Sequence, residues 1–534
     1  MRLSKLLLVS LTLAVTACAA DTGIWRIAPP PPASWQRDRV ADLSARRKAV
    51  MEQIGQDAVL ILYAAEPRNY AGDVDWPFRQ ENDFFYLTGL TQPGATLVLA
   101  PGAARIREMV FIPRSNPSQE SWTGHMITAA EARETSGIQD IFEACQFNGF
   151  LTALIPRARA ILSAPVEGGV PSEPGASNTA PPAHTPVWTT EFAAPIVTVG
   201  RQELQLYMIL PARPNAVEYR REQEFAGKLA SVGSGVSIKD ATNLFNILRR
   251  LKSPREIDIL QHAVDITAEA FQHATAAALP GTPEHEIQAQ FEFTFLRRNG
   301  HWGYPCIVGS GNNATTLHYV SNEDTMKAGD LLLMDDAAEF DQYSADVTRT
   351  IPVNGKFTKE QADIYRLVWA AQQAGFAMAR PGHTASGGPD SIQGAAGEVF
   401  KRGLFKLGLI TDPGSDAQMR IWFNHGISHG IGLNVHDPGG RELQPGMVVT
   451  VEPGLYFRPD ALENLPRTPE MEKFAEAIRP VFEKYKGIGV RIEDDVLITA
   501  GDPRILSAAI PSRLEEVEAA IAKLRQAVKT TPMP

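Results

Sequence analysis

Residues 331–353 read LLLMDDAAEFDQYSADVTRTIPV and carry the clearest structural signal in the chain. Two segments rich in apolar and β-branched residues, 331–337 and 345–353, flank a polar stretch that is typical of a turn. Segments of this kind joined by a short polar turn predict a β-hairpin. We place its two-residue loop at Phe340 and Asp341.

This predicted hairpin brings two carboxylates together. In the register set by that loop, Asp335 lies directly opposite Asp346, and both side chains project from one face of the ribbon. Like charges in opposite positions weaken a sheet, and burial makes them costlier unless one is protonated or a cation lies between them. A register shifted by one residue, with one Asp facing solvent, is the alternative that this segment leaves open.

Histidines are concentrated downstream of the hairpin. The segment HGISHGIGLNVHD, residues 425–437, holds His425, His429 and His436, out of 11 histidines in the chain. Its glycines permit close backbone approach, although a glycine-rich loop with incidental imidazoles is the alternative. His318, upstream of the hairpin, is a lone histidine beside a strand, where a structural role is more common.

Two further predicted strands lead to glutamates. MVVTVEPG brings Glu452 to a Pro-Gly turn, and GIGVRIEDD carries Glu493; either one alone could be a sheet-edge charge. With Asp335, Asp346 and at least one histidine they form an oxygen-rich donor set. That set suits a pair of Mn-, Co- or Zn-like ions better than a structural zinc site, which favours Cys and more His. Since two-metal sites activate water and polarise carbonyls, the expected chemistry is hydrolysis.

Composition and the first residues limit partners and location. The chain has 534 residues, 44% of them hydrophobic, and a formal net charge of -10; no basic stripe offsets this charge, so no nucleic-acid partner is expected. Residues 1–17, MRLSKLLLVSLTLAVTA, have the parts of a secretory signal and are too short to span a bilayer. With Cys18 they resemble a bacterial lipobox, which predicts a periplasm-facing lipoprotein of the cell envelope, anchored in the membrane through that cysteine. Simple cleavage nearby, giving a secreted or soluble periplasmic protein, is the alternative.

Composition shifts along the chain divide it into segments. Ser253 followed by Pro254 is a typical N-cap and first position of a long helix, close after a domain boundary. We predict, in order, a signal peptide at 1–17, a Pro-rich linker at 18–35, an N-terminal α/β domain at 36–235 with a Pro/Gly-rich insertion at 165–187, and a second domain at 240–528.

Four motifs in order, with intact spacing, resemble the metallopeptidase family with the pita-bread fold, in its aminopeptidase P (Xaa-Pro aminopeptidase) branch. They are MDDAAEFDQYSADVTRTIPVNGKFT, HGISHGIGLNVHD, TVEPGLY and GIGVRIEDD, and FRQENDFFYLTGL extends the likeness into the N-terminal domain. The resemblance implies an α/β plus α+β protein: a mixed-sheet creatinase/prolidase-like N-terminal domain followed by a pita-bread catalytic domain.

The resemblance also implies a ligand set for two divalent ions, Mn²⁺ first, with Co²⁺ or Zn²⁺ as alternatives. Asp335 would bind one ion and His429 the other. Asp346 and Glu493 would bridge them, and Glu452 would be both a ligand and the general base.

Other residues are implied around the ions. His318, His425 and His436 would bind substrate and move protons, and Arg491 would orient the carboxylates. The implied activity is hydrolysis of the N-terminal Xaa-Pro bond of peptides by a hydroxide bridging two metal ions. Peptides with proline in second position are the expected partners, and a homo-oligomer, dimer or tetramer, is the expected assembly.

One residue departs from the family pattern, and several other functions compete. Asp336 stands where the family has a small residue; strand alternation predicts that it faces away from Asp335. A prolidase, which cleaves Xaa-Pro dipeptides, is the nearest alternative, and a non-catalytic peptide-binding envelope protein is a more distant one. A methionine aminopeptidase is disfavoured by the large N-terminal domain, and Ser310 lacks a nucleophile-elbow pattern.

Overall fold

The computed structural model describes residues 25–162, 188–210 and 219–530. The predicted signal peptide at 1–17, the lipidation of Cys18 and the insertion at 165–187 lie outside these residues. Within the described ranges, no helix has both the length and the apolar character needed to cross a bilayer. The chain forms an N-terminal domain on one six-stranded sheet and a second domain on several smaller sheets.

The N-terminal sheet is mixed, as predicted, in the order β6-β5-β4-β1-β7-β8. Its central strand, AVLILY, pairs antiparallel with β4 and parallel with β7. Alternate side chains of this strand enter two different apolar clusters, because the sheet is covered on both faces. The strands of this domain are β1 Ala58–Tyr63, β2 Asn69–Ala71, β3 Val74–Asp75, β4 Thr96–Leu99, β5 Glu108–Ile112, β6 Asp140–Glu143, β7 Leu204–Met208 and β8 Val236–Asp240.

In the described part of this domain, α-helices pack around the sheet. They are α1 Trp35–Ile54, α2 Asn82–Thr88, α3 Pro117–Thr123, α4 Ala129–Ser136, α5 Phe147–Leu154, α6 Arg159–Leu162, α7 Trp188–Glu191, α8 Ala193–Gly200, α9 Arg220–Ser231 and α10 Thr242–Arg249. The aromatic motif FRQENDFFYLTGL forms the buried helix α2, because the Glu81 side chain caps it at the Phe84 N–H and Gly89 ends it in the left-handed conformation.

The second domain combines four small sheets with long outer helices. Its strands are β9 His301–Trp302, β10 Ile307–Ser310, β11 Leu331–Asp335, β12 Ala338–Phe340, β13 Tyr343–Ser344, β14 Thr348–Pro352, β15 Val448–Val451, β16 Gly454–Tyr456, β17 Gly489–Arg491, β18 Asp494–Leu497 and β19 Arg504–Ile505. Its helices are α11 Pro254–Ala277, α12 Glu284–Arg297, α13 Lys359–Met378, α14 Ile392–Leu407, α15 Asp416–Arg420, α16 Pro469–Tyr485 and α17 Leu514–Thr530.

Helix α11 begins where the sequence predicted. Ser253 is its N-cap, Pro254 its first residue, and Ser253 and Glu256 form a capping box that satisfies two backbone N–H groups. An apolar cluster that includes Leu60 of the N-terminal sheet and Leu260 of α11 spans the domain boundary. The two domains therefore share part of one core.

The predicted hairpin forms, but its register is wrong by two residues. Asp335 pairs with Thr348 instead of Asp346, and the loop is Asp341–Gln342, with φ values of 49° and 62°. Positive φ at both positions is the requirement of a type I′ two-residue loop, and the aromatic Phe340 instead pairs across the ribbon. A two-residue shift preserves strand alternation, so Asp335 and Asp346 still project from the same face.

Candidate metal centre

Four carboxylates of the second domain lie at the ends of strands that meet at one place. Asp335 is the last residue of β11, and Asp346 lies just before β14. Strands β15 and β18 pair antiparallel in a register that places Glu452 and Glu493 side by side, immediately beyond the last strand pair. The antiparallel pairings thus bring carboxylates from four separate segments together.

His429 is fixed beside β15 by its own backbone. Its carbonyl accepts from the Thr450 N–H at 3.0 Å, and its N–H donates to the Thr450 hydroxyl at 3.1 Å. Its ring Nδ1 lies 3.0 Å from the Gly430 carbonyl oxygen. Because a carbonyl only accepts, this contact assigns the proton to Nδ1 and directs the other ring nitrogen, Nε2, into the carboxylate cluster, the arrangement of a metal-ligating histidine.

Distances within the cluster suit ions bridged by carboxylates. His429 Nε2 lies 3.4 Å from Asp346 Oδ2 and 3.3 Å from Glu452 Oε1. One ligand atom each from Asp346, His429 and Glu493 falls within 4.8 Å of the others. The Tyr304 hydroxyl lies 2.7 Å from both Asp335 Oδ1 and Asp346 Oδ1. All five residues that the sequence assigned as ligands therefore lie around one small volume.

The electrostatics of this volume call for a cation. Burial and the charge of Asp335 raise the pKa of Asp346 from 3.8 to about 6 against the opposing effect of His429. Burial and the neighbouring carboxylates raise the pKa of Glu493 well above its usual value. Burial would lower the pKa of His429, but its contacts with Asp346 and Glu452 raise it to about 12. Crowded, buried carboxylates with one imidazole fit divalent ions, which would replace the protons now shared among them.

Arg491 is hydrogen-bonded to the carboxylate cluster. Its guanidinium donates to Asp335, to the Tyr456 hydroxyl at 2.9 Å and to the Thr348 hydroxyl at 3.1 Å. That Thr348 hydroxyl in turn donates to Glu493 Oε2 at 2.6 Å. Arg491 therefore contacts Asp335 directly and Glu493 through the Thr348 hydroxyl. Thr348 and Tyr304 were missed by sequence reasoning, since neither belongs to a ligand-type pattern.

His425 lies on the opposite side of Glu452 from His429. Its Nδ1 is 2.6 Å from the Gly426 carbonyl oxygen and its Nε2 is 3.0 Å from the Tyr456 hydroxyl. Nδ1 is also 3.7 Å from Glu452 Oε2. Burial lowers the pKa of His425 below its usual value, so the ring is neutral at physiological pH and accepts the Tyr456 hydroxyl proton at Nε2.

The remaining two histidines lie at the open side of the cluster. The ring of His436 is 4.2 Å from that of His429, centroid to centroid, and both His436 and His318 are exposed. Burial, and then the charges of His429 and His318, lower the pKa of His436. A cavity of about 310 Å³ adjoins His436, lined also by Arg79 and Asn434. These exposed imidazoles can therefore reach a bound peptide.

A buried ion cluster holds the loop that carries His436. The Asp437 carboxylate accepts from Arg249 and, at 3.0 Å, from Lys252. Arg249 also donates to Asp83 of the N-terminal domain at 2.8 Å. The Arg79 guanidinium, again from that domain, donates to the Leu433 carbonyl at 2.7 Å. Both domains therefore position the histidine loop.

Arg249→Met is expected to lower the free energy of unfolding by about 3–5 kcal/mol, because it leaves two buried carboxylates without their shared cation. Chemical denaturation measures the loss, and KM should rise as the loop loosens. The control is Arg479→Met, which breaks an exposed pair with Glu463 and should leave stability and KM unchanged. Equal stability of the two variants would contradict this role.

Asp336 lies outside the cluster, as strand alternation predicted, but it is fully buried. Among the described residues, its carboxylate oxygens have no hydrogen bond of good geometry, and their polar neighbours are the weakly donating Cys306 thiol and the Ala337 N–H. Burial raises its pKa well above the usual value, so the carboxyl is protonated. Since an unsatisfied buried polar group destabilises a fold, Asp336→Ala should raise the free energy of unfolding by about 1–3 kcal/mol in denaturant titrations. A fall in stability would show that Asp336 has a partner or ligand role.

Comparison with known proteins agrees with this geometry. Residues 258–500 match the model of metallopeptidase family M24, and residues 43–162 match that of the aminopeptidase P N-terminal domain. The chain is 32% identical to Xaa-Pro aminopeptidase of Escherichia coli K12 over 91% of this chain and 98% of that protein. It is also 27% identical to human Xaa-Pro dipeptidase, over 91% of this chain and 92% of the relative.

Solved structures show the same likeness. A variant of E. coli aminopeptidase P in complex with substrate superimposes with a TM-score of 0.71 at 29% sequence identity, covering 91% of this chain and 99% of the other. The predicted two-domain fold class is thereby confirmed. On the sequence identity and its coverage, the chain belongs to the aminopeptidase P branch of metallopeptidase family M24.

Proposed function

We propose that this protein is a metal-dependent aminopeptidase that hydrolyses the bond between the first residue of a peptide and a proline in second position. The observation that carries the proposal is the convergence of Asp335, Asp346, His429, Glu452 and Glu493 around one buried volume. Relatives named Xaa-Pro aminopeptidase, which this chain matches over 96–98% of their length, support the substrate class.

Two divalent ions held by these five side chains would supply Lewis acidity for activating water and polarising the scissile carbonyl. Glu452 is the residue placed to accept the proton of the attacking water. Although burial works against its charged form, hydrogen bonding to His429 lowers the pKa of Glu452 below its usual value. Glu452 is therefore ionised at neutral pH and ready to act as a base.

The histidines and Arg491 prepare the site for the leaving group. Arg491 donates a hydrogen bond to the Tyr456 hydroxyl, and that hydroxyl donates one to His425 Nε2. These two hydrogen bonds fix the imidazole next to Glu452. A proton accepted at Glu452 can return to the proline nitrogen as the bond breaks. We propose that His318 and His436, which are both exposed, hold the peptide around that bond.

Proline selectivity has a physical basis in the substrate. Proline carries no N–H and its ring fixes φ, so a rigid pocket can recognise it without satisfying an amide donor. The experiment that tests the proposal strips metal with a chelator, restores Mn²⁺, Co²⁺ or Zn²⁺ singly, and compares Xaa-Pro-Xaa with Xaa-Ala-Xaa peptides. Restoration of cleavage only for the proline series supports it.

The main alternative is a dipeptidase, since a dipeptidase is among the relatives. We expect tripeptides and longer Xaa-Pro peptides to be cleaved with a higher kcat/KM than Xaa-Pro dipeptides, because His436 and His318 lie at an open rim where a longer chain can extend. Chromatography of products from a matched dipeptide, tripeptide and pentapeptide series measures this. Cleavage of the dipeptide alone would assign the protein as a prolidase.

Finer features belong to the same proposal. Mn²⁺ is the ion we propose first, since an oxygen-rich set with a single imidazole favours it over Zn²⁺. We also propose that Cys18 is lipidated and that the enzyme lies on the periplasmic side of the cell envelope, on the basis of the lipobox-like sequence. A homo-oligomer, dimer or tetramer, stays a prediction that sedimentation analysis would test.

A further inference from the structure

The described chain begins against the outer helices of the catalytic domain. The Trp25 ring stands edge-on to His273 of α11, with ring centroids 5.4 Å apart, and His273 Nδ1 lies 3.1 Å from the Thr294 hydroxyl of α12. The Arg26 N–H donates to Gln272 Oε1 at 2.8 Å, and Gln272 Nε2 donates back to the Arg26 carbonyl at 3.2 Å. The chain is therefore fixed where α11 meets α12.

The next residues reinforce this attachment. Ala28 is 4% exposed, and its N–H donates at 2.8 Å to the carboxylate of Glu269, which also binds Arg298 at 2.6 Å. The Arg26 guanidinium pairs with Asp265 at 2.9 Å. We call residues 25–28 the N-terminal strap. Backbone groups of the strap are hydrogen-bonded to Gln272 and Glu269 of α11. The chain is therefore attached to the catalytic domain at residue 25.

Beside this point lies an apolar surface without cover among the described residues. Phe293 and Leu296, one turn apart on α12, are 57% and 62% exposed, and Trp302 of the edge strand β9 is 46% exposed. We call these three residues the α12 patch. Trp302 pairs with Ala338, which is buried beneath α11, so the Trp302 side chain is on the helix-covered face of its sheet. Phe293 directly precedes Thr294, next to the strap.

Chain length identifies what can cover this patch. Cys18 stands seven residues before Trp25, so a lipid on Cys18 lies at most about 25 Å from the strap, at roughly 3.6 Å per residue. A bilayer holding that lipid must therefore lie close to the surface of α12. Phe and Trp are the side chains that favour the interfacial layer of a membrane, and Arg favours its anionic headgroups.

Charge around the patch is compatible with such a surface. Arg297 follows Leu296 and is exposed, and the Arg26 side chain is 47% exposed beside α11. The exposed acid of α12, Glu286, lies two turns away from Phe293. Arg26 is paired with Asp265 and the half-buried Glu292 directly precedes Phe293, so the patch is apolar and has charges of both signs at its edge.

We propose that the α12 patch docks on the membrane surface to which Cys18 anchors the chain, so that the strap and the patch together set the orientation of the enzyme on the bilayer. This rests on the envelope location proposed above and is independent of the peptidase activity. The catalytic domain is then held against the membrane instead of moving freely at the end of a tether.

The test uses the full-length processed protein reconstituted in vesicles of phosphatidylethanolamine and phosphatidylglycerol, some made with brominated acyl chains. Bromine quenches tryptophan that lies in the interfacial layer, so quenching of the intrinsic fluorescence is expected for the unaltered protein. Trp302→Phe and the double variant Phe293→Ser/Leu296→Ser should each lower that quenching by about half or more. The matched control is Phe405→Ser, which removes an apolar side chain on α14 that is 48% exposed.

Each outcome decides the matter. Quenching that is lost in the patch variants and kept in Phe405→Ser supports the proposal. Quenching that is absent in the unaltered protein, equal in all variants, or accompanied by an unmodified Cys18 in the N-terminal peptide mass overturns it. So does a change from oligomer to monomer in the patch variants, which would make a second copy the occupant. Tripeptide hydrolysis, followed on the same vesicles, reports separately on the proposed activity and on the folding of each variant.

Discussion

Glu452→Gln is expected to lower kcat for an Xaa-Pro tripeptide by about 10²- to 10⁴-fold, the usual contribution of a positioned general base. Glutamine keeps the shape of the side chain and its hydrogen bond from the Thr450 hydroxyl, which lies 3.3 Å from Glu452 Oε1. It loses the negative charge that accepts a proton. Steady-state kinetics with the metal present in excess measures the change.

Two controls separate a lost base from a lost ligand. Metal content per chain is determined for Glu452→Gln, since this residue also faces His429 at 3.3 Å. Glu463→Gln, at an exposed surface pair, should keep full activity. If Glu452→Gln retained its metal and lost less than about tenfold in kcat, another group would be the base.

Removal of the metal is expected to abolish hydrolysis and to lower the unfolding temperature. Without cations, Asp346 and Glu493 must either repel each other or take up protons in a buried site. Ions that bind only the folded state stabilise it by mass action. The gain is about 4 kcal/mol when the free ion concentration is 1,000 times the dissociation constant. Thermal unfolding with and without chelator measures the difference, and a chelator that removed activity with no shift in unfolding temperature would contradict a buried site.

The stability of the metal-free protein should also depend on pH in a defined direction. The pKa of Asp346 rises from 3.8 to about 6 in the folded chain, so its neutral form is favoured there. The stabilisation that comes from protonated Asp346 is complete below pH 4 and is lost as pH rises through 6. The free energy of unfolding should fall by about 3 kcal/mol over this range. Glu493 acts in the same direction, because its pKa is also raised.

The metal-loaded protein is the reference for this titration. Its ions neutralise the same carboxylates, so the difference in stability between loaded and metal-free protein should grow between pH 4 and 7. Denaturant titrations at several pH values measure that difference. A difference that is constant across this range would mean that Asp346 and Glu493 are not the groups neutralised by the ions.

Local signals in the sequence predicted the elements of the site well. Ser253 and Pro254 located the start of α11 because capping depends on adjacent residues. Glu452 and Glu493 were found because each follows a strand rich in β-branched residues, and Asp335 and Asp346 because they lie in the two halves of a predicted hairpin. The register between β11 and β14 was wrong, because the turn that sets it depends on which two residues adopt positive φ.

Residues that act across the fold were not predictable in this way. Tyr304 lies between β9 and β10 and contacts Asp335 and Asp346. No motif near Tyr304 in the sequence indicates that it belongs to the site. Arg249 joins Asp83 and Asp437, which are far apart in the chain. Such pairs are determined by how distant segments pack, so only the folded structure identifies them.

The bond from Arg249 to Asp83 has a consequence for attempts to trim the protein. A fragment cut to begin at residue 240 would retain Arg249 and Asp437 but would lose Asp83, together with the Arg79 guanidinium that secures the Leu433 carbonyl. An engineered minimal peptidase would therefore keep all five side chains proposed to bind the ions but would lose two of the contacts that hold the histidine loop. The N-terminal domain is therefore needed to hold the histidine loop of the catalytic domain in place.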